Sequence, residues 1–150
     1  MKTFDIISTR ANRIDTPDKA TGKAVFVDDI TLPGMLYGAM LQSPHAHAKI
    51  VSIDTSEAAK LPGVKAVITA KEAGRVKYGV SPARYDETVF AVDKVRYVGD
   101  EIAAVAATRL DVALEAVSLI KVEYEVLPAV FTVEDAVKEG APQLHEDFKG

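Results

Sequence analysis

The clearest pattern of hydrophobic and polar positions lies in the second half of the chain. Residues 95–98 predict a strand, and Gly99 with Asp100 predicts a tight turn whose backbone donors the Asp100 carboxylate satisfies. Residues 102–107 contain no polar side chain. This run predicts a strand that is buried on both faces.

A helix and an alternating strand are predicted after this buried run. Thr108 and Asp111 are three residues apart, which approximates a capping box at the start of a helix. The helical spacing predicts one apolar stripe made of Leu110, Ala113, Leu114, Val117 and Ile120. Apolar and charged residues then alternate over residues 121–126, which predicts a strand with one buried face.

Shorter elements are predicted in the rest of the chain. The predicted strands are residues 24–27, 35–41 with Gly38 as a weak point or bulge, 49–54 and 64–69, and residues 88–92 are predicted to be extended. Short helices are predicted at 55–61 with a Thr or Ser cap, at 71–73 and at 132–138, and residues 74–86 form the longest predicted loop. Because strands and helices do not alternate regularly, the fold class is α+β, with a mixed β-sheet and a few short helices.

The domain organisation follows from these elements. Residues 1–23 are polar and contain the breakers Pro17 and Gly22, so they predict an extended N-terminal arm. Residues 24–140 then form the domain, and residues 141–150 form an exposed polar tail that leads toward a further domain.

Composition narrows the functional classes. A chain of 150 residues can bury a core without disulfides, and the absence of cysteine removes thiol chemistry and iron–sulfur ligation by this chain. A net charge of −4 gives no reason to expect nucleic acid binding. No signal peptide and no apolar run of about 20 residues are visible, so we expect a cytoplasmic protein without a membrane span.

Two histidines are the main candidates for metal binding. In an extended segment, His45 and His47 would present two imidazoles on one face, but no third ligand is evident. Ser43 nearby lacks the Gly-x-Ser-x-Gly context of a hydrolase nucleophile. We therefore interpret His45 and His47 as ordinary surface or interface histidines rather than as a pair of metal ligands.

Other motifs also fail as sites. Thr21-Gly22-Lys23-Ala24 lacks the upstream glycine and the final Ser or Thr of a phosphate loop. The carboxylates of Asp86 with Glu87, and of Asp100 with Glu101, would point to opposite faces of a strand. From the residues alone, the chain is an α+β domain for packing or interaction, without a catalytic constellation.

A family resemblance runs along the chain from Arg13 to His145. It rests on a series of short motifs in order: Thr21-Gly22-Lys23-Ala24, Val27-Asp28-Asp29-Ile30, Gly34-Met35-Leu36-Tyr37-Gly38, Ser43-Pro44-His45-Ala46-His47, Asp86-Glu87-Thr88-Val89-Phe90, Val98-Gly99-Asp100-Glu101-Ile102 and Val122-Glu123-Tyr124-Glu125-Val126-Leu127-Pro128. Together they resemble the start of the large subunit of molybdenum hydroxylases, the xanthine dehydrogenase, aldehyde oxidase and 4-hydroxybenzoyl-CoA reductase family.

The resemblance implies an α/β-hammerhead domain in a molybdopterin-dependent oxidoreductase. The whole enzyme would hydroxylate, or reductively dehydroxylate, substrates of the aldehyde, purine or aryl-CoA type. It would use a molybdenum–pterin cofactor in the cytosine dinucleotide form, [2Fe–2S] clusters and often FAD. Its partners would be downstream molybdenum-cofactor-binding domains and iron–sulfur and FAD subunits or domains. Because no segment here matches the family's catalytic glutamate or pterin-binding glycines, no catalytic, cofactor or metal residue is assigned to this chain.

One site is implied by the resemblance. In family members of the xanthine dehydrogenase type, the loop before Asp86-Glu87-Thr88 reaches the substrate funnel, which would place Ala83, Arg84 and Tyr85 there. Two other hypotheses stay open: a stand-alone binding or assembly module with a hammerhead fold, and a small metal-dependent enzyme that uses His45 and His47.

Overall fold

The computed structural model describes residues 12–80 and 85–146, and the chain divides into two compact units, Met1–Met35 and Leu36–Gly150. The helices are α1 Thr16–Ala20, α2 Ser56–Lys60, α3 Ala70–Ala73, α4 Leu110–Leu119 and α5 Val133–Ala136. The strands are β1 Tyr37–Gln42, β2 Ala48–Asp54, β3 Val64–Thr69, β4 Lys94–Val95, β5 Glu101–Ala107 and β6 Lys121–Val126. The strands form two three-stranded antiparallel sheets rather than the predicted mixed sheet, and the predicted α+β class is confirmed.

The first unit differs from the predicted extended arm. Pro17 stands in the first turn of α1, where its missing N–H costs nothing, and the Thr21 hydroxyl donates to the Pro17 carbonyl at 2.7 Å. The strand predicted at residues 24–27 is also wrong. Val27–Asp29 forms a 3₁₀ turn instead, because the Asp29 carboxylate accepts a hydrogen bond from the Phe26 N–H at 2.9 Å.

Sheet A, in the order β1-β5-β3, is built around the strand that the sequence predicts most clearly. β5 pairs antiparallel with both neighbours, with Ala39 opposite Val105 and Val105 opposite Val67. Alternate residues of β5, among them Ala103, Val105 and Ala107, are almost completely buried. The irregularity in β1 lies between Leu41 and Gln42 rather than at the predicted weak point, Gly38.

Helices α2 and α4 cover the inner face of sheet A. Ala58 of α2 and Ala116 of α4 pack with Ala103 and Val105 of β5. The small side chains let the helices come close to the strand. Gly63, with a φ of +101°, turns the chain between α2 and β3; a Cβ there would lie 3.0 Å from the Thr108 hydroxyl.

The predicted stripe on α4 is partly wrong. Ala113 and Ala116 are fully buried, whereas the side chains of Leu110 and Leu114 are 50% and 57% exposed. Ala116, which the predicted stripe omitted, therefore takes the place of Leu114 in the core. The helix is rotated because its close approach to sheet A admits alanine but not leucine.

Both helix caps predicted from the sequence are wrong, and a cap that was not predicted is present at α5. Thr132 caps α5 by accepting from the Asp135 N–H at 3.1 Å. Thr108 does not cap α4: its first residue follows Arg109, whose guanidinium pairs with Asp111. At α2 the Asp54 carboxylate, not Thr55 or Ser56, accepts from the Ser56 N–H at 2.9 Å.

Sheet B, in the order β4-β2-β6, has one apolar and one polar face. Ile50 and Ile53 of β2 and Val122 and Tyr124 of β6 pack against a buried cluster that includes Ile102. The other face carries the exposed pair Lys49–Glu125, so the one-sided burial predicted for residues 121–126 is confirmed, apart from Val126, which is 63% exposed. Among residues 12–80 and 85–146, no helix is long and apolar enough to cross a membrane.

Candidate functional site

A polar cleft lies where residues 86–88, which follow the predicted loop, meet β4 and residues 143–146. We call residues 143–146 the C-terminal segment. The cleft consists of two adjoining pockets of about 150 Å³ and about 260 Å³. Both are lined by Asp86, Thr88, Arg96 and His145. We call this region the polar cleft.

Backbone pairing positions one wall of the polar cleft. The N–H of Tyr78 donates to the carbonyl of Glu87 at 2.9 Å, and the N–H of Glu87 returns a bond to Tyr78 at 3.1 Å. The Thr88 hydroxyl donates to the carbonyl of Phe90 at 2.7 Å, next to the buried Phe90 ring. The residues just after the predicted funnel loop are thus held by the core.

Asp100 fixes the turn behind this wall, as the sequence predicts. Its carboxylate accepts a hydrogen bond from the Arg96 N–H at 2.8 Å, and Gly99 adopts a φ of +96°. This turn ends β4 at Val95, so the strand predicted for residues 95–98 is much shorter than expected. Burial raises the pKa of Asp100, although the Arg96 backbone and charge oppose that rise.

Tyr97 stands on the same turn. Its hydroxyl donates to the Glu101 carboxylate at 3.1 Å. Desolvation, followed by the negative charge of Asp100, raises the pKa of Tyr97 to about 12. The phenol therefore stays protonated at neutral pH and serves as a hydrogen-bond donor.

The C-terminal segment forms the opposite wall, and it is not the exposed tail that the sequence predicts. Lys94, only 7% exposed, donates to the Gln143 carbonyl at 3.1 Å and to the Glu146 carboxylate at 2.6 Å. Arg96 donates from Nε to the Leu144 carbonyl at 2.9 Å. A buried ammonium requires such partners, which is why residues 143–146 are tied to β4.

His145 and Asp86 face each other across the polar cleft, with 4.0 Å between Nε2 and Oδ2. Burial lowers the pKa of His145, and the positive charge of Arg96 lowers it further, whereas Asp86 acts in the opposite direction. At the rim, the guanidinium of Arg75 makes a bidentate contact with Asp93 at 3.0 and 3.2 Å.

The charged groups that line or border the polar cleft are engaged in hydrogen bonds and ion pairs. Its arginines and Lys94 are engaged with carboxylates and carbonyls, and the part of the chain that the structure describes brings no serine or threonine to a histidine there as a nucleophile–base pair. Within residues 12–80 and 85–146 no group of three His, Asp or Glu side chains could hold a metal ion. Arg75, Arg96 and Lys94 are already paired with carboxylates and carbonyls, so these cations do not offer the unengaged donors that the phosphates of a pterin dinucleotide need.

Of the three predicted funnel residues, only Tyr85 lies among the residues that the structure describes. Tyr85 is half-exposed and directly precedes Asp86 of the polar cleft. Ala83 and Arg84 lie outside the described residues. The role of these three residues stays a prediction.

The two candidate metal-binding histidines have separate structural partners. His47 is buried, and its Nδ1 donates to the Pro128 carbonyl at 2.7 Å. The ring of His45 packs edge-on against Tyr124, with 4.8 Å between centroids. Ser43 hydrogen-bonds to the backbone of His45 rather than to an imidazole.

Sequence reasoning missed Lys94, Arg96 and His145 as parts of one site. Their juxtaposition depends on the C-terminal segment returning to β4, over a separation of about 50 residues. One signal was available: Lys94 and Arg96 flank the apolar Val95, and a cation next to a buried position requires partners.

Comparison with known proteins decides the family. The family described as "Aldehyde oxidase and xanthine dehydrogenase, a/b hammerhead domain" matches residues 21–128. The chain belongs to this hammerhead family. The resemblance and the fold predicted from the sequence are both confirmed.

Relatives and solved structures agree with this assignment. A probable xanthine dehydrogenase subunit of Bacillus subtilis is 44% identical over 90% of this chain and 18% of its own length. The nicotinate dehydrogenase large molybdopterin subunit of Eubacterium barkeri is 37% identical over 97% of this chain and 34% of its own. Quinoline 2-oxidoreductase from Pseudomonas putida 86 superposes with a TM-score of 0.83 at 35% identity, over 95% of this chain and 19% of that one.

The hammerhead domain is a minor part of these proteins. The chain spans about a fifth to a third of the length of the curated relatives named here. The family is one of molybdenum-containing oxidoreductases, and the nicotinate dehydrogenase protein carries molybdopterin in its name.

Proposed function

We propose that this chain serves as the hammerhead domain of a molybdenum-dependent oxidoreductase large subunit. The observation that carries the proposal is the match over 90% of this chain to only 18% of a probable xanthine dehydrogenase subunit. In this role the domain packs on the cofactor-binding part and does not hold molybdenum itself. The paired charges of the polar cleft, which leave no set of catalytic groups, favour such a structural role.

The whole enzyme, in this proposal, holds a molybdenum–pterin cofactor in the cytosine dinucleotide form in its remaining domains. Iron–sulfur and FAD domains or subunits would carry electrons away from it, and the enzyme would work in the cytoplasm. The domain boundaries we propose are an arm over residues 1–23, a hammerhead over 24–140 and a connection over 141–150, of which residues 143–146 pack back on β4 of the hammerhead.

The size of the native protein tests this proposal. An antibody raised against this chain should detect a band several times heavier than 16.1 kDa in the source cell, and molybdenum should copurify with that band. A native protein of 16.1 kDa without molybdenum would instead favour the stand-alone binding or assembly module.

We propose a finer role for Ala83, Arg84 and Tyr85, which is to shape the entry of substrate in the assembled enzyme. The half-exposed Tyr85 beside the polar cleft supports this role. Arg84→Glu should change KM across a panel of aldehydes, purines and aryl-CoA esters by about tenfold for anionic members, because it reverses a charge at the entrance. Lys65→Glu, an exposed charge reversal on β3, is the matched control. An unchanged KM profile for Arg84→Glu would remove these residues from the funnel.

A further inference from the structure

The two sheets of the domain differ in the faces that point away from its core. On sheet B that face carries the pairs Lys49–Glu125 and Ser52–Glu123, as a water-facing sheet should. On sheet A the corresponding face has no polar side chain in its two central rows. These rows are Met40–Ala104–Ile68 and Gly38–Ala106–Ala66.

None of the described residues, 12–80 and 85–146, covers these rows fully. Met40 is 51% and Ile68 40% exposed, and Ala104 and Ala106 are half-buried. Residues directly opposite on neighbouring strands share a face, so the six residues form one continuous apolar surface. We call it the outer face of sheet A.

The sequence of β5 indicates that the outer face of sheet A is an interface with another part of the protein. A strand with one wet face alternates between apolar and polar residues, as β6 does. Ile102 packs with sheet B, but Ala104 and Ala106 are also apolar, although α2 and α4 cover only the opposite face of β5 there. An apolar surface of this kind marks an interface.

We propose that the outer face of sheet A is the docking surface for the remainder of the large subunit. The inference rests on the proposed function, and it names the partner as the apolar surface of the cofactor-binding part. The curated relatives supply the reason for this choice, because about four fifths of the Bacillus subtilis protein lies outside the match to this chain. The position of the outer face next to the polar cleft supports this choice as well, since β5 begins at Glu101, which lines the polar cleft. A body that covers the outer face would lie beside the substrate entrance.

Matched charge insertions test the surface. Ala104→Glu places a carboxylate in the middle of the outer face, and Val51→Glu places one at a 57% exposed position of sheet B. In the full-length tagged protein from the source cell, Ala104→Glu should lower the molybdenum bound per protein by about tenfold or more, because an unpaired charge in an interface is costly. Val51→Glu should leave the metal content unchanged. Equal molybdenum in both variants would overturn the proposal, whereas an unmodified protein without molybdenum would overturn the proposed function as well.

A second measurement does not depend on a variant that folds. Peroxide should oxidise Met40 in the native full-length protein about tenfold more slowly than in the same protein unfolded in urea, because a covered thioether is protected whereas a half-exposed one is not. Equal rates would show that the face is open in the native enzyme. If the isolated chain dimerises in sedimentation and Ala104→Glu abolishes the dimer, a second copy covers the face and the assignment to the subunit remainder is wrong.

Discussion

The charge state of the His145 imidazole couples the stability of this domain to pH. The imidazole lies in the polar cleft near Arg96 and Asp86, and burial together with the Arg96 charge lowers its pKa below the ordinary value of 6.5. The folded state therefore takes up a proton less readily than the unfolded state does. The contribution of His145 to the free energy of unfolding is fully present above the pKa of the unfolded state. It is lost as the pH falls below that value and through the lower pKa of the folded state.

A pH series should reveal this coupling. The free energy of unfolding of the wild-type chain should fall between about pH 7 and pH 5, and His145→Gln should reduce that slope because it removes the titrating ring. Asp100 contributes with the opposite sign, since its raised pKa favours the folded state as the pH falls, but it is present in both proteins. Urea titrations of both proteins at each pH measure the difference. Parallel profiles for the two proteins would contradict the assignment.

At the scale of single elements, α4 gives the sharpest contrast between a hidden and an open face. Ala116 is fully buried against β5, whereas Leu114 two residues earlier is 57% exposed. Ala116→Leu should destabilise the chain by about 1–3 kcal/mol through overpacking. Leu114→Lys should change stability by less than about 0.5 kcal/mol. Thermal unfolding by circular dichroism measures both, and a larger loss for Leu114→Lys would restore the stripe predicted from the sequence.

The elements that could be predicted from sequence are those with an unambiguous period. The alternation over residues 121–126 and the unbroken apolar run over 102–107 placed β6 and β5 correctly, although Ala104 and Ala106 on one face of β5 are only half-buried. The face of α4 could not be specified, because alanine and leucine both count as apolar and only the closeness of sheet A distinguishes them. The cap predicted for α2 was wrong because a neighbouring residue competed for the same backbone donor. The Asp54 carboxylate accepts the hydrogen bond from the N-terminus of α2 that Thr55 or Ser56 was expected to accept.

The candidate site was harder to predict than the fold. Its long-range contacts join Lys94 and Arg96 to residues 143–146, and no periodic pattern encodes contacts over such a separation. The family resemblance supplied the fold and the funnel loop, yet it gave no sign that the C-terminal segment returns to the domain. Only the burial of Lys94 on β4, with Arg96 close behind it, hints at it.

At the scale of the whole molecule, these contacts predict where the folding unit ends. A chain that ends at Gly140 loses the Gln143 carbonyl and the Glu146 carboxylate that bind Lys94, and the Leu144 carbonyl that binds Arg96. Its melting temperature should drop by roughly 5 °C or more relative to a chain that ends at Glu146. Lys94→Met in the shorter chain should recover part of the loss, because it removes the buried charge rather than its partner. If differential scanning calorimetry gives the same melting temperature for both truncations, the domain is complete at Gly140 and the return of the C-terminal segment to β4 does not stabilise it.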